Sequence, residues 1–450
     1  MASTNISKAF ASSGTRTKWT WSFWLKRGTI TNGDQVVSTC HLDNDNQDIV
    51  RFGASDDKLD WWSYQAGSYS NGGRLQTNRV FRDCNGWYHI VLRWDSSNST
   101  AGDRMKMWVN CVEETSFATD TNPTSGRESL FNFGNNSITW KIGSGNNTQY
   151  FDGLLAHIHF CDNQLYQASN FGESDSNGLW IPKSSPSVTY GTNGYFLKFD
   201  NSGNMGLDSS GNSNNWTTSG TLTQAKDTPS NVFAVFNTLD NYYPAMTLSN
   251  GNTKALTIAG KYTYIPTTLG MTSGKYYAEI KVTAQSGSQD AMVIGITSTS
   301  SGATTDELGH YANDYGYYGT GNLQNNDSNT SYGSSYTTGD IIGIAIDLDN
   351  NKLYFSKNSV WQNSGVPTSG STGTGAVSIT DPDSTPRGAY FFAVNNWSST
   401  TTATFEANFG NGYFGTTAVT SAGTNASGNG IFEYDVPTGY TALSTKGLDS

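Results

Sequence analysis

Short runs of alternating hydrophobic and polar residues dominate the first half of this chain. In residues 18–26 (KWTWSFWLK), one face carries Trp19, Trp21, Phe23 and Leu25, and the other carries Lys18, Thr20, Ser22 and Trp24. Alternation with a period of two is typical of β-strands with one buried face. Similar runs follow at residues 87–94, 104–112 and 153–162. The pattern predicts a series of strands, with a short helical turn in residues 163–172.

The second half contains a clear hairpin pattern. Residues 341–348 form an apolar run, residues 349–351 (DNN) a polar turn, and residues 352–357 an alternating run. Two β-rich runs around a tight polar turn predict an antiparallel hairpin. Further strands are predicted at residues 274–283, 292–297, 388–394, 402–409 and 432–441.

Composition narrows the fold class to all-β. Only 14% of the 450 residues are charged, aromatic residues reach 13%, and glycine numbers 49. Asn, Ser, Thr and Gly disfavour helices, whereas the many aromatic residues exclude a disordered chain. A chain of this length is sufficient for two or three domains. We therefore expect β-sandwiches with ample cores.

Charge and cysteine content restrict the partners and the compartment. The net charge is −11, and no basic cluster is present, so we expect no nucleic-acid binding. No apolar stretch has membrane length, and residues 1–8 are polar, so we expect neither membrane insertion nor Sec export. Without export, Cys40, Cys84, Cys111 and Cys161 are expected to be free, mostly buried thiols.

Motifs in residues 1–200 resemble laminin-G-like and pentraxin-like members of the concanavalin lectin/glucanase superfamily. They are the Trp-rich opening strand, WYHIV at 87–91, MKMWVN at 105–110 and FDGLLAHIHF at 151–160. The resemblance implies a concanavalin-like antiparallel sandwich of the jelly-roll type. Cys111 stands where that family usually has glycine after the Asn, so the tight turn expected there departs from the family pattern.

Residues 256–450 resemble the SPRY domain, a second concanavalin-like sandwich used for binding. The motifs are GKYYAE, GDIIG, LYFSKN, ANFG and PTGY, in that order, and Ser359 replaces a frequent glycine. Residues 201–255 are then a connector, which we expect to be an ordered, loop-rich strap because its Phe and Val residues need burial. Its start, LDSSGN, is alternatively a strand of the first sandwich.

Tyrosines in the SPRY-like half are the leading candidates for a binding surface. The set is Tyr311, Asn313, Asp314, Tyr315, Tyr317, Tyr318, Tyr332 and Tyr336. Tyr rings beside Asn and Asp offer apolar faces and hydrogen bonds, which suits sugars or protein loops. The resemblance places this segment among variable ligand-binding loops. The alternative is that half of these rings pack the sandwich.

Two clusters are candidate metal ligands. Asp43, Asp45 and Asp48 offer oxygen ligands for calcium, although the run lacks the EF-hand glycine and is alternatively a polar turn. The resemblance implies calcium at a sandwich edge, and we otherwise expect no cofactor. His157 and His159 share one face of a predicted strand with Cys161, which suits zinc, unless that face is simply a polar surface.

Catalytic residues do not assemble in the sequence. Sandwich glucanases use two glutamates around an aspartate, whereas Asp347 and Asp349 belong to the hairpin and have no nearby glutamate. Glu113 and Glu114 are adjacent and point to opposite faces of a strand. We therefore expect a protein that is not an enzyme, with glycan hydrolysis as the least favoured alternative.

Domain pairing and composition together resemble structural proteins of tailed phages, especially phages of marine bacteria. The resemblance implies a virion protein that is assembled in the host cytoplasm. We expect it to form homo-oligomers and to have other virion proteins as partners. The favoured hypothesis is a tail-fibre or appendage component that adheres to host surface glycans. The alternative is a capsid decoration protein that binds only virion subunits.

Overall fold

The computed structural model describes residues 4–30, 33–146, 149–241, 245–258, 263–289, 292–299, 307–396 and 400–449. The chain divides into two compact units, Met1–Gln224 and Ala225–Ser450. The sheets of both units are antiparallel apart from one short pairing, which confirms the predicted all-β fold class. This division assigns residues 201–224 of the predicted connector to the first unit and residues 225–255 to the second.

In its described residues, the first unit consists mainly of strands, with one short α-helix, α1 (Tyr69–Gly72). Its strands are β1 (Asn5–Lys8), β2 (Lys18–Arg27), β3 (Gln35–Asp43), β4 (Asn46–Phe52), β5 (Lys58–Tyr64), β6 (Arg74–Val80), β7 (Tyr88–Asp95), β8 (Met105–Val109), β9 (Val112–Glu113), β10 (Phe117–Thr121), β11 (Trp140–Ile142), β12 (Gly153–Asp162), β13 (Gly172–Ser174), β14 (Trp180–Pro182), β15 (Tyr195–Leu197) and β16 (Thr217–Ser219). A 3-10 turn at Ala168–Asn170 confirms the predicted helical turn.

Two sheets enclose the core of the first unit. Their strand orders are β10-β6-β5-β4-β3-β11-β1-β16 and β15-β12-β2-β7-β8-β9. The predicted inward face of β2 is confirmed, because Trp19, Trp21, Phe23 and Leu25 all lie in this core. Strand β16 pairs with β1, so residues 217–219 of the predicted connector belong to the first sandwich. The LDSSGN start of the connector is not a strand, since it forms only a single bridge between Asp208 and Leu197.

The second unit is also built from strands, with helix α2 (Thr445–Leu448) at its end. Its strands are β17 (Thr247–Ser249), β18 (Lys254–Leu256), β19 (Thr263–Pro266), β20 (Lys275–Ser286), β21 (Met292–Thr297), β22 (Asp314–Tyr318), β23 (Asn322–Asn325), β24 (Ser328–Ser331), β25 (Ile341–Asp347), β26 (Lys352–Lys357), β27 (Val360–Trp361), β28 (Val377–Ser378), β29 (Phe391–Asn396), β30 (Thr402–Asn408), β31 (Tyr413–Phe414), β32 (Thr417–Ala418) and β33 (Thr441–Ala442).

Two sheets again enclose the core. One runs β17-β18-β30-β20-β25-β26-β27, with β28 beside β26 and β33 beside β20, and the other runs β19-β29-β21-β22-β23-β24. The predicted hairpin is confirmed, because β25 and β26 pair with Asp347 opposite Lys352. Ile342, Ile344 and Ile346 point from β25 into the core.

One predicted strand is wrong. Residues 432–441 form mostly loop, and only β33 at their end pairs with the sheet. The backbone N–H groups of Glu433 and Tyr434 bond to the buried carboxylate of Glu279 instead of a neighbouring strand. A side chain thus satisfies the backbone N–H groups that the alternating pattern had assigned to the hydrogen bonds of a β-sheet.

The cysteines match the expectation of thiols in the interior. Cys40, Cys84 and Cys161 are buried, Cys111 is partly exposed, and Cys40, Cys111 and Cys161 form no disulfide. In the part of the chain that the structure describes, no helix is both long and apolar enough to cross a membrane.

Candidate functional site

The tyrosine-rich segment lies mainly in the interior of the second unit. Strand β22 is flanked by β21 and β23, and its residues are buried along its whole length. The buried members of the predicted set are Asp314, Tyr315, Tyr317, Tyr318, Tyr332 and Tyr336. The structure corrects the prediction for these six, because residues that expose less than a tenth of their surface offer little area to a ligand.

Hydrogen bonds satisfy the buried phenol groups of Tyr317 and Tyr336. The Tyr336 hydroxyl donates to the carbonyl of Tyr317 at 2.7 Å, and the Tyr317 hydroxyl donates to the carbonyl of Ser334. Burial raises the pKa of Tyr332 to about 12, which keeps its hydroxyl neutral. Only Tyr311, 37% exposed, and the half-buried Asn313 remain at the surface.

The acidic run of the first unit is a turn and not a converging set of ligands. Asp43 accepts the N–H of Asp45 at 2.9 Å and the side-chain amide of Asn46 at 2.9 Å, which closes the β3–β4 turn. Asp48 instead points into the interior from β4. The three aspartates therefore do not converge on one ion, and the calcium prediction receives no support from this geometry.

Asp48 anchors a loop. Its carboxylate accepts the Ser129 hydroxyl at 2.5 Å and the N–H groups of Leu130 and Phe131 at 2.7 and 3.1 Å. Burial raises the pKa of this carboxyl, while the hydrogen bonds act in the opposite direction. Asp48 thus fixes the backbone position of residues 129–131.

The paired histidines of β12 depart from regular alternation. A bulge between Ala156 and His159 shifts the register to β2, and His157 has a φ of 45°. His159 Nδ1 hydrogen-bonds the Tyr190 hydroxyl at 2.9 Å. No group of three His, Cys, Asp or Glu side chains is placed to hold a metal among the described residues. The predicted zinc site on a regular strand face is therefore not formed.

The carboxylates considered above as catalytic candidates form structural ion pairs and hydrogen bonds. Buried Asp347 pairs with Lys275 at 2.9 Å, and Asp349 accepts the N–H of Gly274 at 2.9 Å. Glu113 pairs with Lys106, and Glu114 pairs with Arg79.

An open polar groove of about 370 Å³ lies on the first unit. Arg16, Gln65 and residues 124–128 line it. Three separate parts of the chain meet here: the segment before β2, the residue after β5 and the loop between β10 and β11. The sequence analysis missed these residues, because no local motif links positions so far apart.

Hydrogen bonds preorganise the walls of the groove. Arg16 Nε donates to the Ser129 carbonyl at 2.7 Å, so the Asp48 anchor also positions this guanidinium. Arg127 Nε donates to the Asn71 carbonyl at 3.1 Å. Gln65 Nε2 donates to the Glu128 carbonyl at 2.7 Å.

Polar groups remain free to meet a ligand. Among the described residues, neither Arg16 Nη2 nor Arg127 Nη2 has a hydrogen-bond partner. The other terminal nitrogen of Arg16, Nη1, pairs with the Glu128 carboxylate at 2.6 Å. The Glu128 side chain is 60% exposed, and Ser125 is exposed beside it. The groove thus offers donors and acceptors within one concave surface.

Backbone strain marks the rim of this groove. Ala66, next to Gln65, has a φ of 48°, which is rare for a residue other than glycine. The turn is held by the N–H of Ala66 on the Asn46 side chain at 3.2 Å and the N–H of Gly67 on the Asp45 carbonyl at 3.2 Å. The acidic turn therefore supports the loop that carries Gln65.

Sequence comparisons identify a domain in each unit. Residues 3–169 match the family model of the concanavalin A-like lectin/glucanases superfamily, and residues 275–379 match that of the SPRY domain. A search of curated proteins gives no match.

Solved structures that match part of this chain include the SPRY domain of human HERC1. The identity is 16%, with 36% of this chain and 91% of that chain covered and a TM-score of 0.29. A pentraxin from Limulus polyphemus has 15% identity, covering 37% of this chain and 73% of its own, with a TM-score of 0.27. Stonustoxin has 13% identity, covering 57% and 33%, with a TM-score of 0.28. The chain is thus similar to the concanavalin A-like lectin/glucanases superfamily over residues 3–169 and to the SPRY domain over residues 275–379.

Proposed function

We propose that this protein is a non-enzymatic adhesin, carried on a virus particle as part of a tail fibre or another appendage, that attaches to host surface glycans. The polar groove of the first unit is the observation that carries the proposal. A lectin-type domain and a SPRY domain in one chain support a role in binding. Other virion proteins and further copies of the chain are the expected partners, and the proposal requires no cofactor.

The chemistry of the groove suits a sugar. The free Nη2 groups of Arg16 and Arg127 donate hydrogen bonds, while the Glu128 carboxylate accepts them, and sugar hydroxyls do both. A volume of about 370 Å³ is at the small end of ligand sites, which suits one or two sugar rings. Because hydrogen bonds already hold the walls, binding loses little side-chain entropy.

Weak contact at a shallow groove becomes strong attachment only through many copies. Linked binding events raise avidity by roughly 10²–10⁴-fold without any new contact. A particle surface that displays this chain repeatedly provides that multiplicity.

The test uses fluorescent, multimerised full-length protein on host cells and on mutants that lack surface polysaccharide. We expect binding to the host only, and at least tenfold weaker binding for Arg127→Gln. Arg79→Gln is the matched control, since Arg79 pairs with Glu114 outside the groove. The proposal fails if the multimer does not bind host cells, a result that would favour a capsid decoration protein. Binding that Arg127→Gln does not weaken would move the site elsewhere, with Tyr311 as the next residue to substitute.

A further inference from the structure

The outer face of the second sheet in the first unit is buried. Trp24 on β2, His89 on β7, and His159 and Cys161 on β12 all lack solvent contact. The chain after β12 covers this face, since Ala168 and Phe171 pack with Cys161 and the ring of Tyr190 stacks on His159. We define residues 163–190 as the cover segment.

Within the cover segment, β13 and β14 pair as a hairpin, and one hydrogen bond joins this hairpin to the sheet. Trp180, at the start of β14, donates its indole Nε1–H to His89 Nδ1 at 3.0 Å. An indole N–H only donates, so Nδ1 must be unprotonated, and Nε2 then carries the proton and donates to the Ser22 hydroxyl at 2.8 Å. Trp24 stacks on the same imidazole with ring centroids 4.6 Å apart.

We propose that the His89–Trp180 hydrogen bond is an acid-sensitive latch that holds the cover segment over the sheet. An imidazolium has two N–H groups and no acceptor. Protonation of His89 therefore removes the acceptor for Trp180 and places a charge in a buried, apolar contact. Opening of the cover segment hydrates that charge. This inference goes beyond glycan adhesion and is independent of it.

The surroundings of His89 favour its neutral form while the segment is closed. Burial, followed by the positive charge of His157, lowers the pKa of His89 to about 3. The other titratable groups packed on this face are His159 and Cys161 on β12, Cys111 after β8, and Tyr166 and Tyr190 on the cover segment, while Lys198 and Asp200 act on His157. Lys183 follows the hairpin, and its ammonium donates to the Ser169 carbonyl.

The direction of the pH effect follows from these values. The closed state is fully stabilised above pH 6.5, where His89 is neutral whether the segment is open or closed. Between pH 6.5 and about 3, each unit of acidification multiplies the ratio of open to closed forms by about ten, because only the open form takes up the proton readily. At pH 4.5 the ratio is raised about 100-fold by His89 alone.

Cys161 is a native reporter of opening. It is buried under the cover segment, whereas Cys40 lies in the core between the two sheets. We would label the full-length protein with 4,4′-dithiodipyridine from pH 7 to pH 4, normalise rates to a small thiol, and locate the labels by mass spectrometry. The expected result is acid-accelerated labelling of Cys161 with continued protection of Cys40.

Two variants complete the test. His89→Gln keeps an acceptor for Trp180 but does not titrate, so we expect its acceleration between pH 7 and pH 4.5 to be about 100-fold smaller than that of the native protein. Trp180→Phe removes the donor and should label several-fold faster already at pH 7, a result that does not depend on the stability of the first variant. The proposal is overturned if His89→Gln retains the full acceleration, if Cys40 becomes labelled together with Cys161, or if Trp180→Phe labels at the native rate.

Discussion

The carboxylate of Glu279 accepts the backbone N–H of Tyr434 at 2.8 Å, and this bond fastens the loop before β33 to strand β20. The N–H of Glu433 bonds to the same carboxylate at 2.8 Å, and the Asn408 amide and the Tyr277 hydroxyl complete its coordination at 3.2 and 3.1 Å. A single buried side chain on β20 therefore replaces the strand ladder that residues 432–441 were predicted to form.

Stability of the second unit should depend on the protonation of Glu279. Burial raises the pKa of this carboxyl to about 7, against 4.5 in an exposed glutamate. The folded state thus holds the proton more tightly than the unfolded state, so stability is greatest at low pH and falls as pH rises from 4.5 to 7. The loss is roughly 3 kcal/mol. Urea unfolding measured between pH 5 and pH 8 checks this slope.

Glu279→Gln should flatten that pH dependence, since an amide does not titrate. Glu433→Gln is the matched control, because among the described residues the Glu433 side chain accepts only the N–H of Thr420, near the surface. An unchanged slope in Glu279→Gln would contradict the assignment.

Arg27 and Asp57 form an ion pair in the interior of the first unit, with Nη1 and Oδ1 2.9 Å apart and both side chains buried. Asp57→Asn leaves the guanidinium without its counter-ion and should lower the free energy of unfolding by roughly 3 kcal/mol or more. Asp56→Asn, on the half-exposed neighbour, should cost under about 1 kcal/mol. Chemical denaturation compares the two, and equal losses would show that the buried charge has no special cost.

Ser359 occupies a left-handed backbone conformation, with a φ of 72°, in the turn between β26 and β27. This conformation costs a residue with a Cβ about 1 kcal/mol, whereas glycine adopts it freely. Ser359→Gly should therefore raise the free energy of unfolding by up to about 1 kcal/mol. Ser328→Gly, in the exposed strand β24, should lower it by a similar amount. Thermal unfolding of both variants measures the signs, and a destabilised Ser359→Gly would refute the strain.

Truncation of Tyr317 should cost much more stability than truncation of Tyr311. Tyr317 packs in the core against Tyr336 and Phe355, so Tyr317→Ala should cost about 3–5 kcal/mol. Tyr311 lies at the surface, and Tyr311→Ala should change stability by less than about 0.5 kcal/mol. Calorimetry distinguishes them, and equal effects would be inconsistent with the burial of β22.

Local patterning predicts the elements well where one face of a strand is buried. The alternation in residues 18–26 correctly assigns the core face of β2, and the turn at residues 349–351 correctly places the β25–β26 hairpin. Local patterning fails for β22, because both faces of this strand are buried. Tyr315 and Tyr317 pack in one hydrophobic cluster, and Tyr318 packs in another on the opposite face. A tyrosine in the sequence looks equally suited to a loop surface or to a core with hydrogen-bond partners.

The amino-acid sequence alone determines the all-β class, the series of strands and the two domain resemblances. These features can be recognised without the tertiary structure, because turn chemistry and alternation act over a few residues. The groove, the Glu279 attachment and the His89–Trp180 bond join residues that are far apart along the chain. Their existence depends on which strands become neighbours and which surfaces are covered. Only packing in three dimensions decides whether a polar side chain meets solvent, a partner or a ligand.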